Sequence, residues 1–223
     1  MQACAVIVGA GSGKRLGMDI PKALVKVAGR PMVRWCAEIM TRTKGIASMV
    51  IVAPPRFEHR FEAVMKGINC PNLVVTGGAT RTESVRIGVK NIFLDCSIVA
   101  IHDAARPLIN PHHVYQTIKA AEKHNAAALA VPIIDTIKIT EDEWIIGTQP
   151  RENLWAVQTP QAFNRSLLEH ALELFPDDVN NPDDCSFIEK IGEKIKIIPG
   201  NRTNIKITYP EDLLLAEAVL SMK

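Results

Sequence analysis

The chain has 223 residues, of which 47% are hydrophobic, so it can bury a large core and fits one domain rather than a disordered segment. Its 26 Lys and Arg residues nearly balance its 24 Asp and Glu residues, which leaves a formal net charge of +2. This balance gives no overall field that would favour nucleic acid or an anionic membrane as a partner, so any anion must be recognised locally.

Short β-branched runs alternate with amphipathic segments over the first 130 residues, a pattern typical of a parallel sheet covered by helices on both faces. The predicted strands cover residues 3–8, 49–52, 73–76, 98–102 and 127–131. The predicted helices between them cover residues 31–42, 58–66, 81–93 and 111–124. The expected fold class is therefore α/β, with a Rossmann-like and mostly parallel sheet.

Beyond residue 132 the pattern changes to alternating apolar and polar residues, which predicts two or three extended strands over about 133–158. We expect these strands to project as a β-arm, because a parallel sheet already covered by helices has little room for them. An arm of this kind would expose apolar side chains and mark a partner interface. The side chains expected on it are Ile133, Ile137, Trp144, Ile145 and Trp155.

The last part of the chain is expected to return to the core, so that residues 1–223 form a single domain with the arm as an excursion. Predicted helices cover residues 165–175 and 210–222, with a short helix after the sequence NPDDCSF and a strand near residues 194–198.

The first strand leads into GAGSGKRLGMDIPK (residues 9–22), a glycine-rich turn. A dinucleotide fingerprint would need a further glycine, and a Walker A loop would need an earlier glycine and a hydroxyl after its lysine. What remains is three glycines beside three cations, which favours an anion site over an ordinary tight turn with solvated charges. The glycines are Gly9, Gly11 and Gly13, and the cations are Lys14, Arg15 and Lys22.

Polar residues also follow the other predicted strands, and the carboxyl ends of parallel strands meet at one edge of a sheet. Gly77 and Gly78, followed by Arg81 and Ser84, would let the backbone approach a ligand closely. An ordinary glycine turn with Thr80 as the helix N-cap explains the same residues equally well.

Asp103 ends the fourth predicted strand and precedes Arg106 by three residues. The carboxylate could hold magnesium or a ribose hydroxyl and the guanidinium a phosphate, or the two could form an internal ion pair that closes the turn. His102 is expected to be a hydrogen-bonded strand residue rather than a base. Many cations, few carboxylates and no obvious nucleophile are typical of phosphoryl or nucleotidyl transfer, in which positioning and charge stabilisation supply most of the catalysis.

Five scattered cysteines without a C-x-x-C pair predict buried thiols in a reducing compartment. Neither a secretory leader pattern nor an apolar run of membrane-spanning length is present in the sequence. We therefore expect a cytoplasmic protein with no membrane partner.

Seven motifs in order resemble the 2-C-methyl-D-erythritol 4-phosphate cytidylyltransferases of the non-mevalonate isoprenoid pathway. The resemblance implies a magnesium-dependent transfer of the cytidylyl group of CTP to a sugar-alcohol phosphate, with release of pyrophosphate, by a homodimer with interlocked β-arms. The motifs are GAGSGKRLGMDIPK, GGATRTESV, HDAARP, DTIK, LWAVQTPQAF, DDCSFIE and NIKITYPEDLLLAE.

The same resemblance implies roles for individual residues. Arg15 and Lys22 would hold the triphosphate and stabilise charge at its α-phosphate. Arg151, reaching the active site of the other subunit, and Lys206 would position the acceptor phosphate. Residues aiding that pair would be Arg106, Thr136 and Thr159. The remaining substrate-binding residues would be Gly9, Ala10, Gly11, Gly13, Gly78, Arg81, Ser84, Asp103 and Ala104.

Three positions depart from the family pattern. Ala79 stands where an acidic residue is usual, Pro182 stands where a threonine is usual, and Gly9 replaces an alanine and would make the first loop freer. Two alternatives stay open. Ribitol 5-phosphate cytidylyltransferases share these motifs but use another acceptor, and a noncatalytic nucleotide-binding module would use the arm for assembly alone.

Overall fold

A computed structural model describes residues 2–11, 13 and 16–222 of the chain. Strands and helices alternate along these ranges, with a 3₁₀ turn at Lys22–Leu24. The strands are β1 (Ala3–Val8), β2 (Lys26–Val27), β3 (Arg30–Pro31), β4 (Ile46–Ala53), β5 (Asn72–Thr76), β6 (Ile98–Asp103), β7 (Ala126–Pro132), β8 (Ile137–Glu141), β9 (Trp144–Gln149), β10 (Trp155–Asn164) and β11 (Lys196–Pro199). The α-helices are α1 (Met32–Arg42), α2 (Glu58–Met65), α3 (Arg81–Lys90), α4 (Pro111–His124), α5 (Arg165–Leu174), α6 (Cys185–Lys190) and α7 (Pro210–Ser221).

The centre of the molecule is a 7-stranded sheet in the order β11-β7-β10-β6-β1-β4-β5. Strands β1, β4, β5 and β6 are mutually parallel, and β11 is parallel to β7. Strand β10 runs antiparallel to both of its neighbours, β6 and β7. The predicted α/β class with a mostly parallel sheet is therefore confirmed.

The apolar side chains of the central strands alternate between two buried layers. In β1, Ala5 and Ile7 belong to the layer that includes residues of α1, α2 and α4, whereas Cys4 and Val6 belong to the layer with α3, α5 and α6. All four side chains are 0% exposed. Full burial of a residue such as Ile7 contributes about 1.5 to 3 kcal/mol, so continuous apolar runs are what a sheet covered on both faces requires.

The predicted strands and helices of the first 130 residues are all present, with differences at their ends. Strand β4 begins at Ile46 instead of residue 49, and α3 ends at Lys90 instead of residue 93. Helix α1 begins at Met32 rather than at residue 31, because Pro31 is extended and pairs with Lys26 in the small β2–β3 sheet.

Strand β10 corrects one prediction about the segment after residue 132. Trp155 was expected on an exposed arm, but it is half-buried and pairs with Pro132 of β7. The sheet does accept this strand, because residues 158–163 are buried between β6 and β7. Alternation of apolar and polar residues could not separate a strand that enters the sheet from one that leaves it.

Strands β8 and β9 pair with each other and form a separate two-stranded sheet. This hairpin exposes three large apolar side chains near its tip, with Trp144 at 78%, Ile145 at 65% and Ile146 at 59% exposure. Ile133 and Ile137, also expected to be exposed, are half-buried at its base.

The segment between β11 and α7 is held against the end of β6. Ile207 is buried with Val27 and Leu108 in a third apolar cluster, and its backbone N–H donates to the carbonyl of Ala105 over 2.9 Å. Lys206 is therefore fixed beside the loop that follows β6. No helix within the described ranges, α7 included, is long and apolar enough to cross a membrane.

Candidate active site

A cavity of about 560 Å³ opens where β1 and β6 end, beside the loop that follows β5. The chain passes from β1 to β4 and β5 on one side and then crosses to β6 on the other. Such a crossing is the point at which open α/β sheets bind ligands. The lining residues are Val8, Gly9, Ala10, Gly11, Gly13, Lys22, Ala23, Gly78, Ala79, Thr80, Arg81, Ser84, Asp103, Ala104, Ala105, Lys206 and Thr208.

The cavity brings together most of the residues that the sequence predicted, from four separate segments of the chain. Both predicted catalytic lysines, Lys22 and Lys206, are among them. Arg15, together with its neighbours Ser12 and Lys14, lies outside the described residues. The predicted residues that are not part of the described lining are Arg106, Thr136, Arg151 and Thr159.

The first loop turns tightly around Lys22. Gly13 has a φ of +70°, and a Cβ atom added there would lie 2.9 Å from the Cβ of Lys22. A side chain at this position would therefore be strained and would push against the lysine. The 3₁₀ turn that begins with Lys22 is anchored by Ala23 and Leu24, which are 2% and 6% exposed.

Gly9, one of the departures from the family pattern, is held by packing rather than free. Its backbone N–H donates to the carbonyl oxygen of Val52 over 2.9 Å. An added Cβ atom would lie 2.8 Å from the Phe61 ring and 3.1 Å from that same oxygen. The expectation that Gly9 loosens the loop is therefore wrong, because α2 and β4 approach it too closely.

The loop after β5 is rigidified by its own hydrogen bonds. Thr80 caps α3 by accepting from the N–H of Glu83 over 3.1 Å, so the predicted N-cap is present beside the cavity. The Glu83 carboxylate accepts from the N–H groups of Ala79 and Thr80 over 2.6 and 3.0 Å. The Ser84 hydroxyl accepts from Gly78 N–H and donates to the Thr80 carbonyl. Glu83 thus places a carboxylate on the loop although Ala79 carries none.

Four charged side chains of alternating sign form a charge chain, of which Arg81, Asp103 and Lys206 line the cavity and Asp184 does not. The Nη1 and Nη2 atoms of Arg81 donate to the two carboxylate oxygens of Asp184 over 2.9 and 2.8 Å. The Nε of Arg81 donates to Oδ1 of Asp103 over 3.0 Å, and Nζ of Lys206 lies 2.7 Å from Oδ2. The side chains run from buried Asp184, 2% exposed, to Lys206, 42% exposed.

These contacts favour the charged forms of Asp103 and Arg81, whereas burial raises the pKa of Asp184. Burial alone would raise the pKa of Asp103, but Arg81 and Lys206 outweigh it and hold that pKa well below its usual range. Burial alone would lower the pKa of Arg81, but Asp184 and Asp103 together hold it above the ordinary value. Removing one partner from such a buried pair costs about 3 to 5 kcal/mol.

An ion pair between Asp103 and Arg106, one of the alternatives left open from the sequence, is not what closes the turn after β6. The Arg106 backbone N–H donates to the Asp103 carbonyl over 3.0 Å, and its guanidinium donates to the Asn204 carbonyl over 2.7 Å. Burial lowers the pKa of Arg106. The carboxylate instead pairs with residues distant in sequence, which spacing along the chain does not reveal.

His102 is a buried, hydrogen-bonded strand residue, as predicted. Its Nε2 lies 3.1 Å from the Arg106 carbonyl, which can only accept, so Nε2 carries the proton. Its Nδ1 therefore accepts from the Thr159 hydroxyl over 3.0 Å, and that hydroxyl accepts from Asp103 N–H over 3.1 Å. The hydrogen bonds of His102 and Thr159 thus hold the end of β6 in place.

The protonation of His102 predicts a pH dependence of stability. Burial lowers its pKa from 6.5 to about 4, so the unfolded chain binds more protons than the folded chain between these values. The stabilisation is present above pH 6.5 and is lost as the pH falls towards 4, by on the order of 3 kcal/mol. Urea unfolding across this range should show a shallower pH slope for His102→Asn than for the wild type. The exposed control His112→Asn should keep the wild-type slope, and equal slopes for all three proteins would refute the prediction.

The sequence did not predict two sets of residues at or beside the site. The lining includes Ala79, Thr80, Ala105 and Thr208, which lie inside or beside recognised motifs but carry no charge that would single them out. Asp184 was quoted within a motif but given no role, because its partner Arg81 is 103 residues away in sequence.

The described residues contain no group of three or more His, Cys, Asp or Glu side chains placed to hold a metal ion. Asp103 supplies the carboxylate among the described lining residues, and both of its oxygens contact cations. Magnesium retains several waters and binds through few carboxylates plus substrate phosphates. This donor set therefore fits a magnesium ion held mainly by triphosphate oxygens and water.

Comparison with known proteins identifies a family. The family model described as 2-C-methyl-D-erythritol 4-phosphate cytidylyltransferase matches residues 3–222. Relatives with that name from Caldanaerobacter subterraneus subsp. tengcongensis and Halalkalibacterium halodurans are 38% and 37% identical, and each alignment covers at least 99% of both chains.

Solved structures are similar over the same length. The crystal structure of 4-diphosphocytidyl-2C-methyl-D-erythritol synthase from Anaerococcus prevotii has a TM-score of 0.87 at 29% identity, covering 99% of this chain and 96% of that one. The crystal structure of 2-C-methyl-D-erythritol 4-phosphate cytidylyltransferase from Thermus thermophilus has a TM-score of 0.82 at 29% identity, covering 99% and 100%. The sequence and the fold together place this chain in the 2-C-methyl-D-erythritol 4-phosphate cytidylyltransferase family.

Proposed function

We propose that this chain transfers the cytidylyl group of CTP to 2-C-methyl-D-erythritol 4-phosphate, forming 4-diphosphocytidyl-2-C-methyl-D-erythritol and pyrophosphate. The observation that carries the proposal is that Lys22 and Lys206 line one cavity, which offers a cation to each of two phosphate-bearing substrates. Family membership over residues 3–222 supports CTP and the methylerythritol phosphate as those substrates.

The triphosphate lies against the first loop in this proposal. The backbone of Gly9, Gly11 and Gly13 approaches the phosphates, and Lys22 contacts the phosphate that reacts. Arg15 is proposed as the second cation there. A magnesium ion bound to the triphosphate oxygens would neutralise part of their charge and orient them.

The base lies against the loop after β5. Three N–H groups of this loop, those of Gly78, Ala79 and Thr80, are engaged by Ser84 and Glu83. The loop therefore meets the base with backbone carbonyl oxygens, which accept from the exocyclic amino group of cytosine. Arg81 and Asp103 border the space for the ribose.

The chemical step is a substitution at phosphorus. An oxygen of the acceptor phosphate forms a bond to the α-phosphorus, and the bond from that phosphorus to the oxygen bridging to the β-phosphate breaks. Pyrophosphate leaves with the electron pair. Lys22 stabilises the negative charge that develops around the α-phosphorus, and Lys206 holds the acceptor phosphate in line, so no covalent intermediate on the chain is needed.

A homodimer completes the proposal. The β8–β9 hairpin exposes Trp144, Ile145 and Ile146, which a second copy of the chain would cover. Arg151 follows this hairpin, is exposed, and donates to the carbonyl of Ile134. Each acceptor site would then be reached by Arg151 and Thr136 of the other subunit. Arg106 and Thr159 would support the acceptor site of the subunit to which they belong.

A cytoplasmic location is also proposed. All five cysteines are free and four of them are buried, with Cys70 half-buried. Free thiols in this number are typical of a reducing compartment.

The proposal is tested by following pyrophosphate release with CTP and magnesium in the presence of 2-C-methyl-D-erythritol 4-phosphate, ribitol 5-phosphate or no acceptor. We expect rapid release with the methylerythritol phosphate and little with the other two. Faster release with ribitol 5-phosphate would assign the other acceptor. CTP binding without release in any arm would support a noncatalytic module instead.

The hydrogen bonds of the loop after β5 predict the choice of base. With the acceptor saturating, kcat/KM for CTP should exceed those for UTP, ATP and GTP by about 100-fold or more, because UTP lacks the amino donor and purines are larger. Equal values for CTP and UTP would refute the assignment of the amino group to these carbonyls. Equal values for a purine triphosphate would show that this loop does not border the base.

A further inference from the structure

Asp184 is buried at the start of α6, with a residue exposure of 1%, yet its carboxylate does not serve that helix. Both oxygens accept from the guanidinium of Arg81, over 2.9 and 2.8 Å. The start of α6 is held by other groups. Asp183 accepts from the N–H and hydroxyl of Ser186 over 3.1 and 2.8 Å, and the Gln161 side chain accepts from the N–H groups of Asp184 and Cys185.

The contacts of Arg81 show what this carboxylate controls. An Arg guanidinium binds a carboxylate best as a two-pronged fork, and Asp103 lies within its reach. Asp184 binds Nη1 and Nη2 and so fixes the orientation of the guanidinium, and in this orientation Nε contacts Oδ1 of Asp103 over 3.0 Å. The second oxygen of Asp103 lies 2.7 Å from Nζ of Lys206.

We propose that Asp184 is a positioning residue for the acceptor end of the active site: it fixes the orientation of the Arg81 guanidinium, so that Arg81 contacts one oxygen of Asp103 and the other oxygen stays paired with Lys206. The consequence for catalysis rests on the proposed function, in which Lys206 binds the acceptor phosphate. The effect on the distance between Lys206 and Asp103 does not depend on the proposed function, since this effect involves only Asp184, Arg81, Asp103 and Lys206.

The first test is kinetic. Asp184→Asn should lower kcat/KM for the acceptor about 100-fold, the loss expected when a reacting group is displaced, while the dissociation constant for CTP changes less. In an Arg81→Gln background the guanidinium is gone, so adding Asp184→Asn should change kcat/KM by no more than about threefold. A full additional loss in that background would overturn the proposal, because Asp184 would then act independently of Arg81. If Asp184→Asn alone does not fold, comparing Arg81→Gln with Arg81→Gln/Asp184→Asn still decides the matter.

Asp183→Asn is the matched control, since it makes the same change one residue away at the same helix start. It should lower the melting temperature but leave acceptor kcat/KM within about threefold of wild type. An equal loss of kcat/KM in Asp183→Asn and Asp184→Asn would assign both aspartates to holding α6 and overturn the specific role of Asp184.

The second test is structural and is independent of the reaction. Crystal structures of the wild type and of Asp184→Asn should differ in the distance from Lys206 Nζ to Asp103 Oδ2, which should lengthen from 2.7 Å to beyond about 4 Å as the released guanidinium of Arg81 turns towards both oxygens of Asp103. An unchanged distance would refute the proposal even if the enzyme is active. Absence of any pyrophosphate release by the wild type would refute the proposed function and leave this measurement decisive for Asp184.

Discussion

Replacing Lys22 by alanine should lower kcat by about 100- to 1,000-fold, which is the loss seen when one group that stabilises transition-state charge is removed. The affinity for CTP should fall only severalfold, because other groups also bind the triphosphate in the ground state. The position of Lys22 supports a larger effect on kcat than on the affinity for CTP. It lines the cavity from a short turn anchored by buried Ala23 and Leu24, so its backbone is held beside the cavity.

The measurement separates binding from chemistry. Pyrophosphate release under saturating CTP and acceptor gives kcat, and calorimetric titration of CTP gives the dissociation constant. Lys26→Ala is the matched control, because Lys26 is exposed in β2 and is not part of the described cavity lining. Turnover of Lys22→Ala equal to that of Lys26→Ala would remove Lys22 from the mechanism. A parallel loss in kcat and CTP affinity would make it a binding residue.

Most of the sheet could be predicted from the sequence because burial on both faces forces continuous apolar runs. Strand β1 was predicted to the residue, and the loops after β1, β5 and β6 were expected to meet because carboxyl ends of parallel strands share an edge. Strand β10 could not be placed, since an alternating pattern fits an arm as well as an antiparallel strand whose later residues are buried.

The charge chain of Asp184, Arg81, Asp103 and Lys206 shows a second limit of prediction from the sequence. Each of its members stands in a recognised motif, but their pairing was not predictable. A pair of Asp103 with Arg106, three residues away, was one of the alternatives left open, and Asp103 instead contacts Arg81 and Lys206. Spacing along the chain reveals partners only within one helix or turn. Contacts between separate loops depend on how the sheet brings their strands together.

Mixing two inactive variants should restore activity if the active site is shared between subunits. Arg151 is exposed after the β8–β9 hairpin and is absent from the described lining of its own cavity, whereas Lys22 lines that cavity. Arg151→Ala and Lys22→Ala homodimers should each be nearly inactive, because every site has one defect. In a mixed dimer one site combines an intact Lys22 from one chain with an intact Arg151 from the other. Random mixing makes about half of the dimers mixed, so activity should approach about a quarter of wild type.

A second mixture provides the control for this experiment. Lys22 and Lys206 line the same cavity of one chain, so mixing Lys22→Ala with Lys206→Ala leaves one defect in every site and should restore nothing. The two variants of each pair are co-expressed with different tags, and the mixed dimers are verified by mass. Recovery with Arg151→Ala but not with Lys206→Ala would place Arg151 in the active site of the other subunit. If mixed dimers of Lys22→Ala and Arg151→Ala stay as inactive as their parents, Arg151 serves its own subunit, and the exposed apolar tip of the hairpin then has a role in assembly alone.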